Sequence, residues 1–222
     1  RGEVRPPPLV VVPYPGSTYA DPPTGLWDQG VMAAAPVLLG HGYAVLVPSL
    51  PSPRDGRGPA EGLADRVLAI IDAAAKQPDL AGRFDATRLG LWGHSFGGYA
   101  TTAIIGQTDR FRVAVATAPA TDLVSDHGQF GPFRRAYPDE GLTTPWSAGW
   151  VESLQGDMRV PPWEDPQRYL RNSPLMQAGR IHTPLLIAVG EIDGSHPGQA
   201  EELFSALFRQ DRDALLLTYW GE

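Results

Sequence analysis

The stretch Leu89-Gly90-Leu91-Trp92-Gly93-His94-Ser95-Phe96-Gly97-Gly98-Tyr99-Ala100 decides how the rest of the chain is read. A short apolar run of strand type reaches Trp92, passes through Gly-x-Ser-x-Gly-Gly, and continues into a helix-compatible segment over 99–107. Strand, sharp turn and helix in that order form the setting of a nucleophile elbow, which presents a serine at the turn. The glycines carry the geometry. Gly93 and Gly97 omit side chains where strand and helix approach closely, and Gly98 permits tight packing beneath the turn. Ser95 is expected in a strained backbone conformation that pushes its hydroxyl outward.

Outward from the elbow, buried-strand patterns alternate with helical ones. Leu9-Val10-Val11-Val12 and Ala44-Val45-Leu46-Val47-Pro48 read as strands covered on both faces, as do Val113-Ala114-Val115-Ala116-Thr117 and Leu185-Leu186-Ile187-Ala188-Val189. A strand at 88–92 leads into the elbow, and a last one is expected over 215–219. Between them, 31–40 reads as a helix kinked or entered at Pro36 and ended at Gly40 or Gly42. Residues 60–77 repeat Leu63, Val67, Ile70, Ile71 and Ala74 at helical spacing, and Pro78 ends the run. Residues 198–209 turn Leu203, Ala206 and Leu207 inward. Such alternation implies a mostly parallel sheet with helices on both faces and right-handed crossovers. The fold class is α/β, as an α/β-hydrolase domain over 1–222. The rhythm breaks at 122–174, an excursion holding Trp146, Trp150 and Trp163 with Phe130, Phe133, Tyr137 and Tyr169. It is expected either to shape a site at the sheet edge or to form a satellite core.

Bulk properties exclude several function classes. With 42% hydrophobic and 19% charged residues, the 222-residue chain has the composition of one soluble globular domain. A net charge of -7 and a pI near 5.2 argue against nucleic acid or an acidic membrane surface as partner. The most apolar region, 31–50, is interrupted by Pro36, Gly40, His41, Gly42 and Pro48, and cannot supply the roughly 20 apolar residues of a membrane span. Zero cysteines exclude disulfides, thiol catalysis and cysteine metal sites, and leave the compartment open. Residues 1–8 read as a Pro-rich arm without a signal-peptide pattern, so the chain is expected to be a piece of something longer or a processed product.

A serine hydroxyl needs a base within hydrogen-bond reach and an acid to orient that base. In hydrolases of this fold the order along the chain is serine, acid, histidine. Asp193 stands in the loop after a late strand and is the preferred acid, with Glu191 its local competitor. The base is expected beyond the following strand, where the chain stops at Tyr219-Trp220-Gly221-Glu222. None of the five histidines suits the role: His41 sits at a helix–strand junction, His94 beside Ser95, His127 in the excursion, His182 before a strand, and His196 in the acid loop itself. No histidine pair has metal-ligand spacing, so neither a metal nor a cofactor is expected. For the oxyanion, the backbone N–H of Phe96 follows the nucleophile, and Tyr14 in Pro13-Tyr14-Pro15-Gly16 lies in the loop that supplies the second donor.

On these residues the chain resembles the catalytic domain of the prolyl oligopeptidase family of serine peptidases, nearest to its acylaminoacyl- and glutamyl-peptidase-like bacterial members. Pro8-Leu-Val-Val-Val-Pro-Tyr-Pro-Gly16 resembles the family's first core strand and oxyanion-tyrosine loop, and Gly42-Tyr-Ala-Val-Leu-Val-Pro48 its next strand. Phe84-Asp-Ala-Thr-Arg-Leu-Gly-Leu-Trp-Gly-His-Ser-Phe-Gly-Gly-Tyr99 resembles the signature around the nucleophile. Pro162-Trp-Glu-Asp-Pro-Gln-Arg-Tyr169, Asn172-Ser-Pro-Leu175 and Ile181-His-Thr-Pro-Leu-Leu-Ile187 resemble the approach to the acid. There are departures. Gly194-Ser195-His196 replaces the usual continuation of the acid loop, and 49–58 lacks the common Arg-Gly-Ser pattern although Arg54 and Arg57 remain.

The resemblance implies Ser95 as nucleophile, Asp193 as acid, and Tyr14 with the Phe96 amide as oxyanion donors. It also implies a catalytic histidine just beyond Glu222 and a β-propeller upstream of Arg1 in the parent polypeptide. The leading expectation is therefore a serine peptidase acting on short peptides through an acyl-enzyme, with the 222 residues alone showing little turnover. A carboxylesterase uses the same machinery, and a catalytically silent binding module remains the reading from another class. Arg134 and Arg135 are either anchors for an acidic substrate group or a solvated face.

Overall fold

The computed structural model describes residues 5–20, 35–52, 55–129, 145–193 and 197–222, with the backbone alone for 145–147. Expectations that fall on Phe130, Phe133, Arg134, Arg135, Tyr137, Arg54, His196 and the Trp146 side chain lie outside the described residues.

Among the described residues six strands make one sheet, β1 (Pro8–Val11), β2 (Ala44–Leu46), β3 (Asp85–His94), β4 (Phe111–Thr117), β5 (Leu185–Gly190) and β6 (Ala214–Tyr219), in the spatial order β2-β1-β3-β4-β5-β6. Every pairing is parallel, with Val11 opposite both Leu46 and Leu91, Trp92 opposite Val115, Ala116 opposite Ile187, and Ile187 opposite Leu216. The described helices are α1 (Ala35–Gly40), α2 (Leu63–Lys76), α3 (Phe96–Ile105), α4 (Leu123–His127), α5 (Pro145–Ser153), α6 (Pro166–Asn172) and α7 (Pro197–Phe208), with a 3-10 helix at Pro174–Arg180. The chain leaves β1 for β2 on one side and returns past β1 to β3 on the other. The loops after β1 and β3 therefore diverge. That crevice at the carboxyl ends of the strands is where open α/β sheets bind ligands.

β1 is buried throughout Leu9, Val10 and Val11, as a β-branched run covered on both faces should be. One apolar cluster runs from Leu9 and Val11 through Leu63, Val67 and Ile71 of α2, Ile104 and Ile105 of α3, to Leu203 and Leu207 of α7. Three expected strands differ in exposure. Ala44, Val45 and Leu46 are only half-buried, and among the described residues β2 has a strand neighbour on one side alone. β6 closes the other side, with Leu215 at 64% and Leu217 at 44% exposure, and Val113 of β4 is 49% exposed.

Helix starts also moved. Residues 60–62 form a turn before α2, with Gly62 in the left-handed region at φ 67. Tertiary bonds claim Ala60 there: its N–H donates to Asn172 Oδ1 at 2.9 Å and its carbonyl accepts from Gln107 Nε2 at 2.8 Å. Conversely, α3 begins at Phe96 rather than at 99, so Gly97 and Gly98 are helical despite a propensity cost of about 1 kcal/mol each.

The described parts of the excursion are short helices tied to the main body. His127 Nε2 and Glu152 Oε1 lie 2.6 Å apart and join α4 to α5. Asn172 Nδ2 donates to the carbonyls of Arg57 and Arg168, both at 2.9 Å. Tyr169 is fully buried and its O–H donates to Val160 O at 2.8 Å; burial pushes its phenol up, so the ring is core rather than site wall.

Candidate active site

Ser95 is the hinge between β3 and α3, and its backbone stands at φ 56, ψ -121. A non-glycine residue there carries strain of about 1–3 kcal/mol, which the surroundings must over-determine. They do. The Ser95 N–H donates to Thr117 O at the end of β4 (2.9 Å), and the Ser95 carbonyl accepts from Tyr99 N in the first turn of α3 (3.0 Å). The three glycines have no room for a side chain. A Cβ on Gly93 would stand 2.0 Å from Gly97 O; one on Gly97, 2.7 Å from Pro13 O; and one on Gly98, 2.8 Å from Thr117 O. The sequence motif is thus a packing requirement from three directions: strand to helix, helix to the β1 loop, and helix to β4.

The Phe96 N–H opens α3, where amides have no intrahelical acceptor and the helix dipole favours negative charge. The loop after β1 is held against it. Val12 N–H donates to Leu46 O (2.9 Å), and Gly16, at φ 89, donates to Leu50 O (2.7 Å). These bonds bring the Tyr14 ring edge-on to the Phe96 ring, with centroids 6.2 Å apart. Phe96 in turn stacks on the buried Tyr99 at 5.1 Å and meets the Trp150 ring edge-on at 5.7 Å. Burial holds the Tyr99 phenol neutral, and its O–H donates to Asn172 O at 2.7 Å.

Two polar contacts finish this corner. Gln155 Nε2 donates to the Tyr14 hydroxyl oxygen at 3.2 Å, and Trp150 Nε1 donates to Gln155 Oε1 at 2.9 Å. Gln155 carries no sequence signal. It lies 141 positions from Tyr14, and a lone glutamine after a Trp-bearing helix belongs to no motif.

Asp193 follows β5, half-buried, on the same carboxyl edge and two strands from β3, which places the two strand backbones about 10 Å apart. Its N–H donates to Gly190 O at 3.4 Å. Glu191 is exposed, and its carboxylate accepts from Gly221 N at 3.2 Å, tying it to the turn after β6. The structure therefore gathers Tyr14, Ser95 and Phe96 at the crevice and sets Asp193 along the same edge.

The described histidines are engaged elsewhere or face solvent. His94 is exposed, with Nδ1 at 3.1 Å from Thr117 Oγ1. His127 is buried between Glu152 and the Trp163 and Tyr169 rings, a packing histidine. His182 pairs with Asp109 at 3.0 Å, and His41 is exposed beside β2. Among the described residues no group of three or more His, Asp or Glu is arranged to hold a metal ion.

Comparison with known proteins gives the family and the fold. Residues 62–222 match the model of the prolyl oligopeptidase family. A Bacillus subtilis (strain 168) protein described as the uncharacterized peptidase YuxL is 35% identical over 157 residues, covering 70% of this chain and 21% of that protein. A probable chloroplastic glutamyl endopeptidase of Oryza sativa subsp. japonica is 25% identical over 213 residues, 90% of this chain and 20% of that one. Among solved structures, the Pyrococcus horikoshii acylaminoacyl peptidase superposes with a TM-score of 0.69 at 18% identity, over 98% of this chain and 33% of that one. A puromycin-hydrolyzing peptidase of Mycobacterium tuberculosis gives 0.68 at 24%, over 100% and 32%. The fold is that of the α/β-hydrolases, and the chain spans about a fifth of its curated relatives' length.

Proposed function

The chain belongs to the prolyl oligopeptidase family, and from that membership we propose that it is the catalytic part of a serine peptidase that cleaves short peptides through an acyl-enzyme. Ser95 Oγ attacks the scissile carbonyl, and the carbonyl oxygen becomes an oxyanion that accepts hydrogen bonds from the Phe96 N–H and the Tyr14 O–H. The proton leaving Ser95 passes to a histidine, which returns it to the departing amine. Water then attacks the acyl-enzyme by the reverse proton route and frees Ser95.

The observation that carries this reading is the Ser95 backbone at φ 56, ψ -121, enclosed by glycines on which no Cβ fits. Strain of that kind is kept where a hydroxyl must be held out at the end of a helix. The acid is Asp193: the gap of about 10 Å between β3 and β5 suits two side chains with an imidazole between them. Glu191 is the weaker choice, since it stands exposed beside the turn after β6, whereas Asp193 is half-buried at the strand end. The base is a histidine that follows Glu222 in the parent polypeptide. Among the described histidines, His94, His127 and His182 are engaged by Thr117, Glu152 and Asp109, which speaks against their serving as the base.

The test is a fluorophosphonate probe on the full-length protein. Labelling at Ser95, lost in Ser95→Ala, is the expected result, and a full-length protein that takes no label would remove the enzyme reading. Aryl esters cleaved with peptides left intact would instead make it a carboxylesterase.

A further inference from the structure

We propose that Gln155 is a positioning residue that directs the Tyr14 hydroxyl proton toward the oxyanion, and that Trp150 fixes the direction of Gln155; the inference rests on Tyr14 being an oxyanion donor. An indole N–H can only donate, so the Gln155 atom 2.9 Å from Trp150 Nε1 must be the amide oxygen. That fixes the amide's orientation, which heavy-atom positions alone leave ambiguous. Its NH2 group then faces Tyr14 at 3.2 Å and can only donate. The phenol oxygen therefore accepts from Gln155, and its own proton is turned to another side. Without Gln155, the same O–H is free to rotate about its bond to the ring and spend part of its time pointing away from the substrate.

Backbone hydrogen bonds frame Gln155 closely. It sits in the turn after α5, where Leu154 N–H donates to Gly149 O (3.1 Å), Gly156 N–H to Trp150 O (3.1 Å) and Met158 N–H to Val151 O (3.0 Å). Gly156 is pressed so closely on α5 that a Cβ there would stand 2.3 Å from Val151 O. Trp150 also packs edge-on against Phe96, whose N–H is the other oxyanion donor. Tyr14, Phe96, Trp150 and Gln155 thus form a closed ring of contacts, through which the excursion presets both donors.

The test uses the full-length protein, with the rate of fluorophosphonate labelling and the kcat and KM for 4-nitrophenyl acetate as readouts. Gln155→Leu removes the donor, and Gln155→Glu keeps the size but offers a carboxylate that only accepts, drawing the phenol proton toward itself. Loss of one oxyanion donor costs about 100-fold or more. Tyr14→Phe is therefore expected near that loss, Gln155→Leu at about tenfold, and Gln155→Glu between them, with kcat and kcat/KM falling together. In a Tyr14→Phe background both Gln155 changes should alter the rate less than about twofold. A packing role predicts the reverse order, the isosteric Glu milder than Leu, and losses that persist without the Tyr14 hydroxyl; either result overturns the proposal. Wild-type rates in both Gln155 variants beside an impaired Tyr14→Phe would overturn it and leave the oxyanion reading standing. A Tyr14→Phe protein as fast as wild type overturns both.

Discussion

Replacing Gly93 by alanine tests whether the elbow is held by packing. The new Cβ would stand 2.0 Å from Gly97 O, 2.3 Å from Gly97 C and 2.6 Å from Thr101 Oγ1. Two of those atoms are backbone, so no rotamer change relieves the contact. Ordinary contact begins near 3.5 Å, and the start of α3 must then retreat from β3 by about 1.5 Å. Overpacking of this kind costs about 1–3 kcal/mol, and the upper end applies where backbone has to move. For a chain of this size about 3 kcal/mol lowers Tm by about 6–12 °C. The retreat also displaces Ser95, and a misplacement of about 1 Å costs about 100-fold in reactivity. Thermal unfolding and the fluorophosphonate labelling rate read the two effects. Gly198→Ala is the control, since a Cβ there meets nothing within 4 Å among the described residues, and stability should hold or rise by less than about 1 kcal/mol. A Gly93→Ala protein with wild-type Tm and labelling rate would refute the reasoning.

Asp193→Asn should lower kcat of the full-length protein by about 10⁴-fold with folding intact, while Glu191→Gln stays near wild type; steady-state kinetics on the pair tells the two carboxylates apart. Asn172→Leu strips partners from the Ala60 N–H and from the Arg57 and Arg168 carbonyls, and should cost at least about 2 kcal/mol in a denaturant titration. Asp85 is held well below the usual carboxylate range, first by the Thr87 hydroxyl and then by the Arg88 guanidinium. Its folded pKa is the lower one, so its contribution is complete above about pH 4 and is lost as pH falls further. Asp85→Asn should therefore flatten the acid side of a stability–pH curve and leave the neutral side's slope unchanged.

What was legible in the sequence was what local chemistry encodes. The glycines at 93, 97 and 98 answer to contacts with neighbouring segments, yet their spacing about Ser95 is a short-range pattern, and it could be read directly. β1 was legible because Leu9-Val10-Val11-Val12 has no polar face to lose. The exposure along β2 and β6 was not, because it depends on strand order, in which each has one neighbour among the described residues, and Leu215 and Leu217 look like core residues from their own neighbours. The start of α3 was read three residues late, since helix propensity penalises Gly97 and Gly98 while close packing requires them. Gln155 and Asn172 were invisible for the same reason. Their partners, Tyr14 and Ala60, lie 141 and 112 positions away, and a side-chain amide does not announce which distant backbone or phenol it serves.

A nucleophilic Ser95, as proposed, becomes acylated during turnover. The direct measurement is acid quenching of the full-length protein during hydrolysis of a 4-nitrophenyl ester of a short N-blocked peptide, followed by intact mass and peptide mapping. The expected result is one acyl group per chain, carried by the peptide containing Ser95, and none in Ser95→Ala. Continued turnover by Ser95→Ala, or an acyl group on another residue, would contradict it.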